Sequence, residues 1–425
     1  MNRDFLRALY DAAVAAAHPD VCLPPHLPPA PPGRVILLAA GKAAGAMTAA
    51  AERFYLDAQG LSPERLTGLA VTRHGYGRPT RHVPVVEAGH PVPDEAGVEA
   101  TQRVLDFAAQ ARADDLVLVL LSGGGSANWI APAGALTLAE KQAITRACLR
   151  SGATIGEING LRKHLSRIKG GRLAQAAQRA RLHTLAISDV PHDDPSAIAS
   201  GPTVPDPTTL AAALAIADRY GVDLPPSARA LLDDPANETP KPGDPVFANS
   251  RFEIIARPRA SLDAAAALAK AKGYDVIDLG ADVEGEARDA AAAHAALAVQ
   301  LKATGRRAVI LSGGELTVTL KGQGRGGPNQ EYALALAIAL ADAEGISAIS
   351  GDTDGTDGGG GNATDPAGAL IDGTTVARAR EMGVDAEAFL DNNDSTGFFE
   401  RIGDLLSPGP TYTNVNDLRA IVVER

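Results

Sequence analysis

The chain has 425 residues, 45% of them hydrophobic, and a formal net charge of −11. This length exceeds one ordinary hydrophobic core and predicts two domains, while the negative charge argues against nucleic-acid binding and against attachment to an anionic membrane. The two cysteines, Cys22 and Cys148, exclude a disulfide framework and a cysteine-based zinc site, and they fit a reducing cytoplasm.

The first part of the chain alternates between short apolar strands and helices. An amphipathic helix is predicted over 5–14, before a proline-rich loop over 24–32. Strands are predicted over 35–39, 69–72, 83–87, 116–121 and 183–187, and helices over 43–55, 96–111 and 137–151. This order predicts an α/β fold with a doubly wound, mostly parallel, Rossmann-like sheet.

The second part of the chain begins after a polar stretch that contains six prolines between residues 225 and 245. Such a stretch is typical of a boundary, so we predict domains over 1–240 and 241–425. Later elements are strands over 246–248, 274–279, 309–311 and 346–350, and helices over 260–272, 284–304 and from residue 329. Residues 316–320 alternate as a hairpin partner would, which predicts a second α/β domain with a mixed sheet. The longest apolar stretch, over 332–341, is too short to span a bilayer.

Two apolar strands end in similar glycine-rich turns. The strand over 116–121 runs into Ser122, Gly123, Gly124, Gly125 and Ser126, and the strand over 309–311 runs into Ser312, Gly313, Gly314 and Glu315. Glycines after a buried strand let the backbone turn sharply and offer N–H groups to an anion. Because ligands of open α/β sheets bind beyond the carboxyl ends of the strands, we expect an active site in a cleft between the two domains.

Basic residues gather at two places near these turns. Lys42 follows Gly41 where a strand becomes a helix and could meet a phosphate, although a solvent-facing lysine fits the same position and no P-loop pattern is present. Arg162 and Lys163 belong to a run of six potentially positive residues over 162–172. This run indicates either a local positive field or an ordinary solvated helix face.

Carboxylates follow two other predicted strands. Asp189 could hold Mg²⁺, which prefers oxygen ligands, whereas Asp193 and Asp194 could equally cap a helix. Asp352 and Asp354 lie in an acidic, glycine-rich loop suited to Mg²⁺ or to ligand hydroxyls, with an ordinary Asp-Gly turn as the alternative. The pattern Asp-x-Asp-Gly-Thr at 352–356 also surrounds the nucleophile of haloacid-dehalogenase-like phosphatases. Those enzymes need a lysine later in the chain, and no lysine follows Lys321.

A G-x-G-x-x-G pattern lies at 322–327 and includes Arg325 and Gly326. On its own it is the dinucleotide fingerprint. However, it follows a predicted hairpin strand, and an arginine in its middle favours a charge clamp on a phosphate.

Together these motifs resemble the glycerate 2-kinase family, the ATP-dependent glycerate kinases with a C-terminal MOFRL domain. The matching segments occur in order along nearly the whole chain, at 40–43, 88–94, 121–126, 161–166, 169–172, 188–190, 200–203, 312–315, 324–331 and 351–358. The resemblance implies transfer of the ATP γ-phosphoryl group to the C2 hydroxyl of D-glycerate, which gives 2-phosphoglycerate and ADP, with Mg²⁺ taking part.

The roles implied by this resemblance divide among three groups. Lys42 and Arg325 would neutralise charge on the transferring phosphoryl group, and Asp189 would be the base or a Mg²⁺ ligand. Asp352 and Asp354 would hold the metal or orient hydroxyls. Glycerate and ATP would be bound by Ser122, Gly123, Gly124, Gly125, Ser126, Arg162, Lys163, Ser312, Gly313, Gly314, Glu315, Gly326 and Asn329.

Two other functions stay open at this point. The fingerprint over 322–327 would suit an NAD(P)H-dependent hydroxypyruvate reductase, a label that some members of the family have carried. A sensor that closes on a sugar acid without turnover is the non-enzymatic alternative. The sequence leaves the oligomeric state open, a homodimer included.

Overall fold

The computed structural model describes residues 2–358 and 362–425. The chain forms two compact units, Cys22–Ile255 and the N-terminal residues through Val21 together with Ala256–Arg425. This division differs from the predicted 1–240 and 241–425 at both ends. The first helix, α1 (Arg3–Ala16), buries Leu6 and Leu9 in one core with Leu262 of the later unit, which explains why it belongs there.

The unit Cys22–Ile255 is built on a six-stranded sheet with strand order β3-β2-β1-β4-β5-β6. Its strands are β1 (Val35–Ala40), β2 (Leu66–Arg73), β3 (Val85–Ala88), β4 (Leu116–Leu121), β5 (Arg181–Ile187) and β6 (Ser250–Ala256). The pairings from β3 through β5 are parallel. Every residue of β1 and β4 is buried, as in a sheet covered by helices on both faces. The strand order reverses between β1 and β4, which makes their carboxyl ends the switch point where such sheets bind ligands.

Helices cover this sheet, and several start at residues that cap them well. Asp94 caps the fourth helix by accepting a hydrogen bond from Gly97 N, and Thr137 forms a capping box with Glu140 at the sixth. The helices after α1 are α2 (Pro19–Cys22), α3 (Ala44–Glu52), α4 (Glu95–Ala109), α5 (Gly125–Asn128), α6 (Leu138–Arg150), α7 (Ile155–His164), α8 (Arg172–Ala177), α9 (Leu210–Arg219) and α10 (Pro226–Asp233).

The later unit has a mixed six-stranded sheet with strand order β11-β10-β9-β12-β8-β7. Its strands are β7 (Asp275–Asp278), β8 (Ala308–Ser312), β9 (Ile346–Asp352), β10 (Gly368–Asp372), β11 (Leu405–Leu406) and β12 (Asp417–Val423). Strand β12 is antiparallel to both β8 and β9, while β7 is parallel to β8. Strands β8 and β9 therefore point the same way, and their carboxyl ends share one edge with the start of β12.

Two strand predictions were wrong. Residues 316–320 do not pair with β8; that place belongs to β12, whose residues are all buried, whereas Leu320 is 78% exposed. The predicted strand over 246–248 overlaps a 3₁₀ turn, Pro245–Phe247, and the strand that follows it is β6 of the first sheet. Proline lacks the N–H that a strand ladder needs, which favours the turn.

Helices pack on both faces of the second sheet. Helix α13 is buried on every side from Asn329 to Ala337. The helices of this unit after α1 are α11 (Pro258–Ala271), α12 (Ala287–Ala303), α13 (Pro328–Ala339), α14 (Thr375–Glu381), α15 (Ala386–Asp391) and α16 (Ser395–Ile402). Within the described parts of the chain, no helix combines the length and apolar character needed to cross a membrane.

Candidate active site

The turns that end β1 and β4 are joined to each other at the switch point of the first sheet. Lys42 N donates to Gly123 O at 2.8 Å, and Ala43 N donates to Ser122 Oγ at 3.0 Å. Gly41 has φ +113°, and a Cβ on it would overlap the carbonyl and side chain of Ser122. Only glycine fits this close approach. Gly41 therefore lets the turn after β1, which carries the predicted site residue Lys42, lie against the predicted glycine-rich turn after β4.

The glycine-rich turn offers backbone donors. The N–H groups of Gly123 and Gly124 donate to no other residue in the described ranges. Gly124 has φ +85°, and a Cβ on it would lie 3.0 Å from His90 Nε2 and 3.6 Å from Lys42 Cγ. The structure thus brings two amides, the aliphatic part of the Lys42 side chain and an imidazole ring together, and successive backbone N–H groups of this kind bind anions.

Two basic side chains, of which Lys169 is fully buried and Arg162 is partly exposed, hold the far end of this turn. Ser126 O accepts hydrogen bonds from Lys169 Nζ at 2.6 Å and from Arg162 Nη2 at 3.5 Å, and Ser126 Oγ lies 2.8 Å from Ser200 Oγ. Burial lowers the pKa of Arg162, and burial together with Arg162 and Lys141 lowers the pKa of Lys169 well below its usual value. The basic run predicted from the sequence therefore includes two residues at the turn, of which Lys169 had not been chosen as a site residue.

Lys163 has a different partner from the one predicted. Its Nζ lies 3.2 Å from Asp206 Oδ1, and the two side chains are 5% and 0% exposed. Asp206 also accepts hydrogen bonds from Thr208 and Thr239. Burial raises the pKa of Asp206, but the Lys163 charge and these hydrogen bonds outweigh it and keep the pKa below its usual value. The charge of Lys163 is thus compensated by a buried ion pair inside the unit, which favours a structural role. The ligand contact of Lys163 stays a prediction.

Asp189 follows β5, the strand next to β4. Leu121 pairs with Ala186 in the register of these parallel strands, so Asp189 comes just beyond the edge where Ser122 begins the turn. It is partly exposed. The topology of the sheet therefore places Asp189 at the same edge as Lys42 and Gly123.

The second glycine-rich turn is organised around a buried arginine that the sequence analysis missed. Arg419 of β12 is 1% exposed; its Nε donates to Ser312 Oγ at 3.1 Å, and its Nη2 donates to the carbonyls of Gly313 and Gly314. Its Nη1 pairs with Asp417 Oδ2 at 2.9 Å. Glu315, which follows, is exposed. The accepting groups of this turn are thus used by a cation within the fold. The sequence feature that could have pointed to Arg419 is that it is a single arginine in an otherwise apolar C-terminal stretch.

Asn329 is buried at the start of α13 and is committed to neighbouring residues. Its Nδ2 donates to Asp417 Oδ1 at 2.7 Å, and its Oδ1 accepts from Ser350 Oγ at 2.7 Å. Asp357 accepts from the backbone N–H groups of Asn329 and Gln330 at 3.0 and 2.8 Å. A carboxylate of the chain already occupies this helix terminus, which favours a positioning role for Asn329. Its direct ligand contact stays a prediction.

The fingerprint over 322–327 serves close packing of the chain. A Cβ on Gly322, Gly324 or Gly326 would overlap atoms of residues 392–395. No strand precedes it within the described residues 313–321, and Asp357 takes the helix amides that a pyrophosphate would need. Arg325 between these glycines is 66% exposed and pairs with Glu400 Oε2 at 2.9 Å. These observations oppose a dinucleotide site and leave Arg325 as an accessible cation.

Asp352 and Asp354 lie at the carboxyl end of β9. Asp352 Oδ1 accepts from Asp354 N at 2.9 Å, and Asp354 Oδ1 accepts from Thr356 N at 2.7 Å. Asp354 is fully buried, whereas Asp352 is partly exposed. Burial raises the pKa of Tyr10 well above its usual value, and the negative charges of Asp352 and Asp354 raise it further. Residues 2–358 and 362–425 contain no group of three or more metal-ligating side chains placed to hold an ion.

Two family models match most of the chain. Residues 5–233 match the model described as "Domain of unknown function (DUF4147)", and residues 308–417 match the model of the MOFRL family. The chain is 48% identical to a putative hydroxypyruvate reductase of Agrobacterium vitis, over 99% of this chain and 94% of the relative. It is 41% identical to a D-glycerate 2-kinase of Thermotoga maritima, over 96% of this chain and 94% of the relative.

A solved structure supports the same relationship. The crystal structure of a glycerate kinase from Thermotoga maritima superposes with a TM-score of 0.86 at 39% sequence identity and covers 99% of each chain. The α/β fold predicted from the sequence is confirmed by this match and by the two observed sheets.

Proposed function

The chain belongs to the glycerate 2-kinase family with a C-terminal MOFRL domain, and we propose that it transfers the γ-phosphoryl group of ATP to the C2 hydroxyl of D-glycerate. The reaction forms a bond between the C2 oxygen and the γ-phosphorus and breaks the bond between that phosphorus and the oxygen that leaves with ADP. Its products are 2-phosphoglycerate and ADP.

The observation that carries this proposal is the turn at the switch point of the first sheet. The N–H groups of Gly123 and Gly124 are without partners among the described residues, and Lys42 lies beside them. Glycerate carboxylate and ATP phosphates are both anions that such a turn would bind. Because phosphoryl transfer depends mainly on positioning and on charge stabilisation, Lys42 neutralises developing negative charge, while Arg162 and Lys169 hold the shape of the turn.

Asp189 supplies the proton acceptor in this proposal. The C2 hydroxyl must lose its proton as it attacks phosphorus, and a carboxylate within hydrogen-bond reach accepts that proton. The position of Asp189 just beyond β5, at the edge that carries Ser122, supports this role. As a Mg²⁺ ligand, the alternative role, Asp189 would instead stay ionised throughout the reaction.

Arg325 supplies a second cation. It is 66% exposed and its partner Glu400 is also at the surface, so the guanidinium can leave this pair at little cost. Arginine binds phosphoryl oxygens through two parallel hydrogen bonds. We therefore assign Arg325 to the transferring phosphoryl group.

The residues at the end of β9 fit Mg²⁺ brought by ATP. Mg²⁺ prefers oxygen ligands and commonly takes one or two carboxylates, with phosphates and waters completing its shell. Asp352 and Asp354 provide two carboxylates separated by one residue at a strand end. They would hold the ion, whose contribution when bound is to neutralise phosphate charge.

The test is a product assay on the full chain. Incubation with ATP, Mg²⁺ and D-glycerate should give ADP and a phosphoglycerate that phosphorus NMR identifies as the 2-isomer. Lys42→Met should lower the rate by at least about 100-fold, whereas Lys270→Met, at an exposed lysine of the other unit, should not. Formation of the 3-isomer, or oxidation of NADH by hydroxypyruvate without ADP formation from glycerate, would contradict the proposal.

A further inference from the structure

A cavity lies at the amino-terminal ends of strands β5 and β6, on the opposite side of the first sheet from the glycine-rich turn. Its volume is about 790 Å³, and it is lined by the proline-rich segment after α2, the start of β5 and the start of β6. Arg181 begins β5 and Ile187 ends it, a span of about 20 Å at strand geometry. The cavity is therefore remote from the edge that carries Lys42, Gly123 and Asp189.

The charged side chains that line this cavity are mostly positive. Arg179, Arg181 and Arg251 line it together with one carboxylate, Glu253. Arg251 pairs with Glu253 at 3.0 Å, and Arg181 reaches a backbone carbonyl at 3.5 Å. Arg179 is exposed and makes no ion pair or hydrogen bond within residues 2–358 and 362–425. In a chain with a net charge of −11 this is a local excess of positive charge without a compensating partner.

A buried histidine of β5 also lines this cavity. His183 is 7% exposed, and its Nε2 has no hydrogen-bond partner in the described parts of the chain; the nearest carboxylate oxygen, on Glu253, is 3.9 Å away. Burial lowers the pKa of His183, and the charges of Arg251, Arg181 and His26 lower it further, while Glu253 acts in the opposite direction. An anion in the cavity would give this ring nitrogen a partner and reverse the balance of charge around it.

We propose that this cavity is a second ligand site, which binds a small molecule carrying a phosphate monoester. Guanidinium groups match phosphate oxygens through paired hydrogen bonds, which makes arginine the typical residue for recognising a dianion. The prolines at 25, 28 and 29 form a wall against which a small organic body packs. Arg179 and Arg181 contact the phosphate, and protonated His183 donates to it from Nε2.

The experiment follows the His183 ring by NMR in the full chain with labelled histidines. His183→Gln serves only to assign the resonance. Glycerol 3-phosphate and inorganic phosphate are the two probes, titrated at constant ionic strength against sodium chloride. We expect a saturable shift of the His183 resonance and a rise in its pKa, since an adjacent dianion favours the protonated ring.

Two variants separate this site from general ionic effects. Arg179→Gln should weaken binding about tenfold or more, because a charge-assisted pair is lost, whereas Arg150→Gln, which removes an exposed guanidinium of α6, should leave the titration unchanged. Tighter binding of glycerol 3-phosphate than of inorganic phosphate would support a phosphate monoester as the ligand, whereas equal binding of the two would contradict it. An unmoved His183 resonance, an equal response to chloride, or full binding by Arg179→Gln would overturn the proposal.

Discussion

Replacement of Lys163 by methionine tests whether this residue holds the fold or contacts a ligand. Its ammonium lies 3.2 Å from Asp206 in a pair that is almost completely buried. Methionine keeps most of the aliphatic volume and removes the charge. We expect the variant to lose stability rather than substrate affinity, because an uncompensated carboxylate would remain in the interior.

The magnitude follows from the other partners of each group. Breaking a buried pair by removing one member commonly costs about 3–5 kcal/mol. Asp206 would keep donors from Thr208 and Thr239, so Lys163→Met should fall near the lower end, about 3 kcal/mol. Asp206→Ala leaves the ammonium without an acceptor among the described residues and should approach about 5 kcal/mol.

The assay is urea unfolding followed by fluorescence. Trp129 is the single tryptophan of the chain; it lies in the same unit as the pair and is 1% exposed, so its emission reports that unit. With a denaturant slope of about 3 kcal/mol per molar, Lys163→Met should lower the midpoint by about 1 M. Arg150→Met, the control at an exposed cation, should stay within about 0.5 kcal/mol of the parent.

The contrary result is equally specific. An unchanged midpoint together with a raised KM for ATP or glycerate would show that Lys163 contacts a ligand, as the sequence pattern first indicated. The assignment of Lys163 to the fold would then be refuted, whatever the geometry of its pair.

Three other substitutions probe the turn, the acid stability and the second cation. Gly124→Ala should lower kcat/KM by about 100-fold, because it forces a left-handed residue against a histidine ring, while Gly152→Ala, which has φ +79° and open space, should not. Burial opposes ionisation of Glu238, yet a neighbouring ammonium and further hydrogen bonds lower its pKa to about 2. Because the folded-state pKa is depressed, this stabilisation is complete above the unfolded-state value of about 4.5 and is lost as pH falls toward 2. Glu238→Gln should therefore lower the free energy of unfolding by about 1–2 kcal/mol at pH 7, a value reduced because this side chain is 33% exposed to solvent. Near pH 2 the substitution should leave the free energy of unfolding unchanged, as acid unfolding would measure. Arg325→Ala should lower kcat by about 10²–10⁵ with an unchanged Tm, whereas Glu400→Ala should keep both, since their surface pair contributes little.

Local sequence predicted the central strands well because burial leaves a strong pattern. Strand β4 was predicted at its exact bounds, and β1 was one residue short at its end. Both strands are apolar throughout and stop at glycine or serine, so composition alone marks their length. The edge where Gly41 and Ser122 meet followed from the same pattern, since the carboxyl ends of parallel strands share one side of a sheet.

Long-range partners explain what the sequence did not predict. Nothing near β6 in the chain indicates that it pairs in the first sheet, and nothing near α1 indicates that it packs with Leu262. The roles of Lys163, Asn329 and Arg419 likewise depend on distant residues, since Lys163 pairs with Asp206, Asn329 donates to Asp417 and Arg419 donates to Ser312. A charge run or an isolated polar residue looks the same in sequence whether its partner is a ligand or another part of the fold.

The two Ser-Gly-Gly turns show this dependence most clearly, because nearly the same letters produce opposite surroundings. At the first turn, Lys42 N satisfies the Gly123 carbonyl, and the Gly123 and Gly124 amides keep their capacity to donate. At the second turn, Arg419 donates to the Gly313 and Gly314 carbonyls, so a cation of the fold holds that backbone in place. The Gly313 amide donates to Gly280 O, so the first turn offers two successive amides to an anion, which the second turn does not. The contribution of the later unit must come from side chains at other positions, which is why Arg325 and the carboxylates after β9 carry its share of the proposed chemistry.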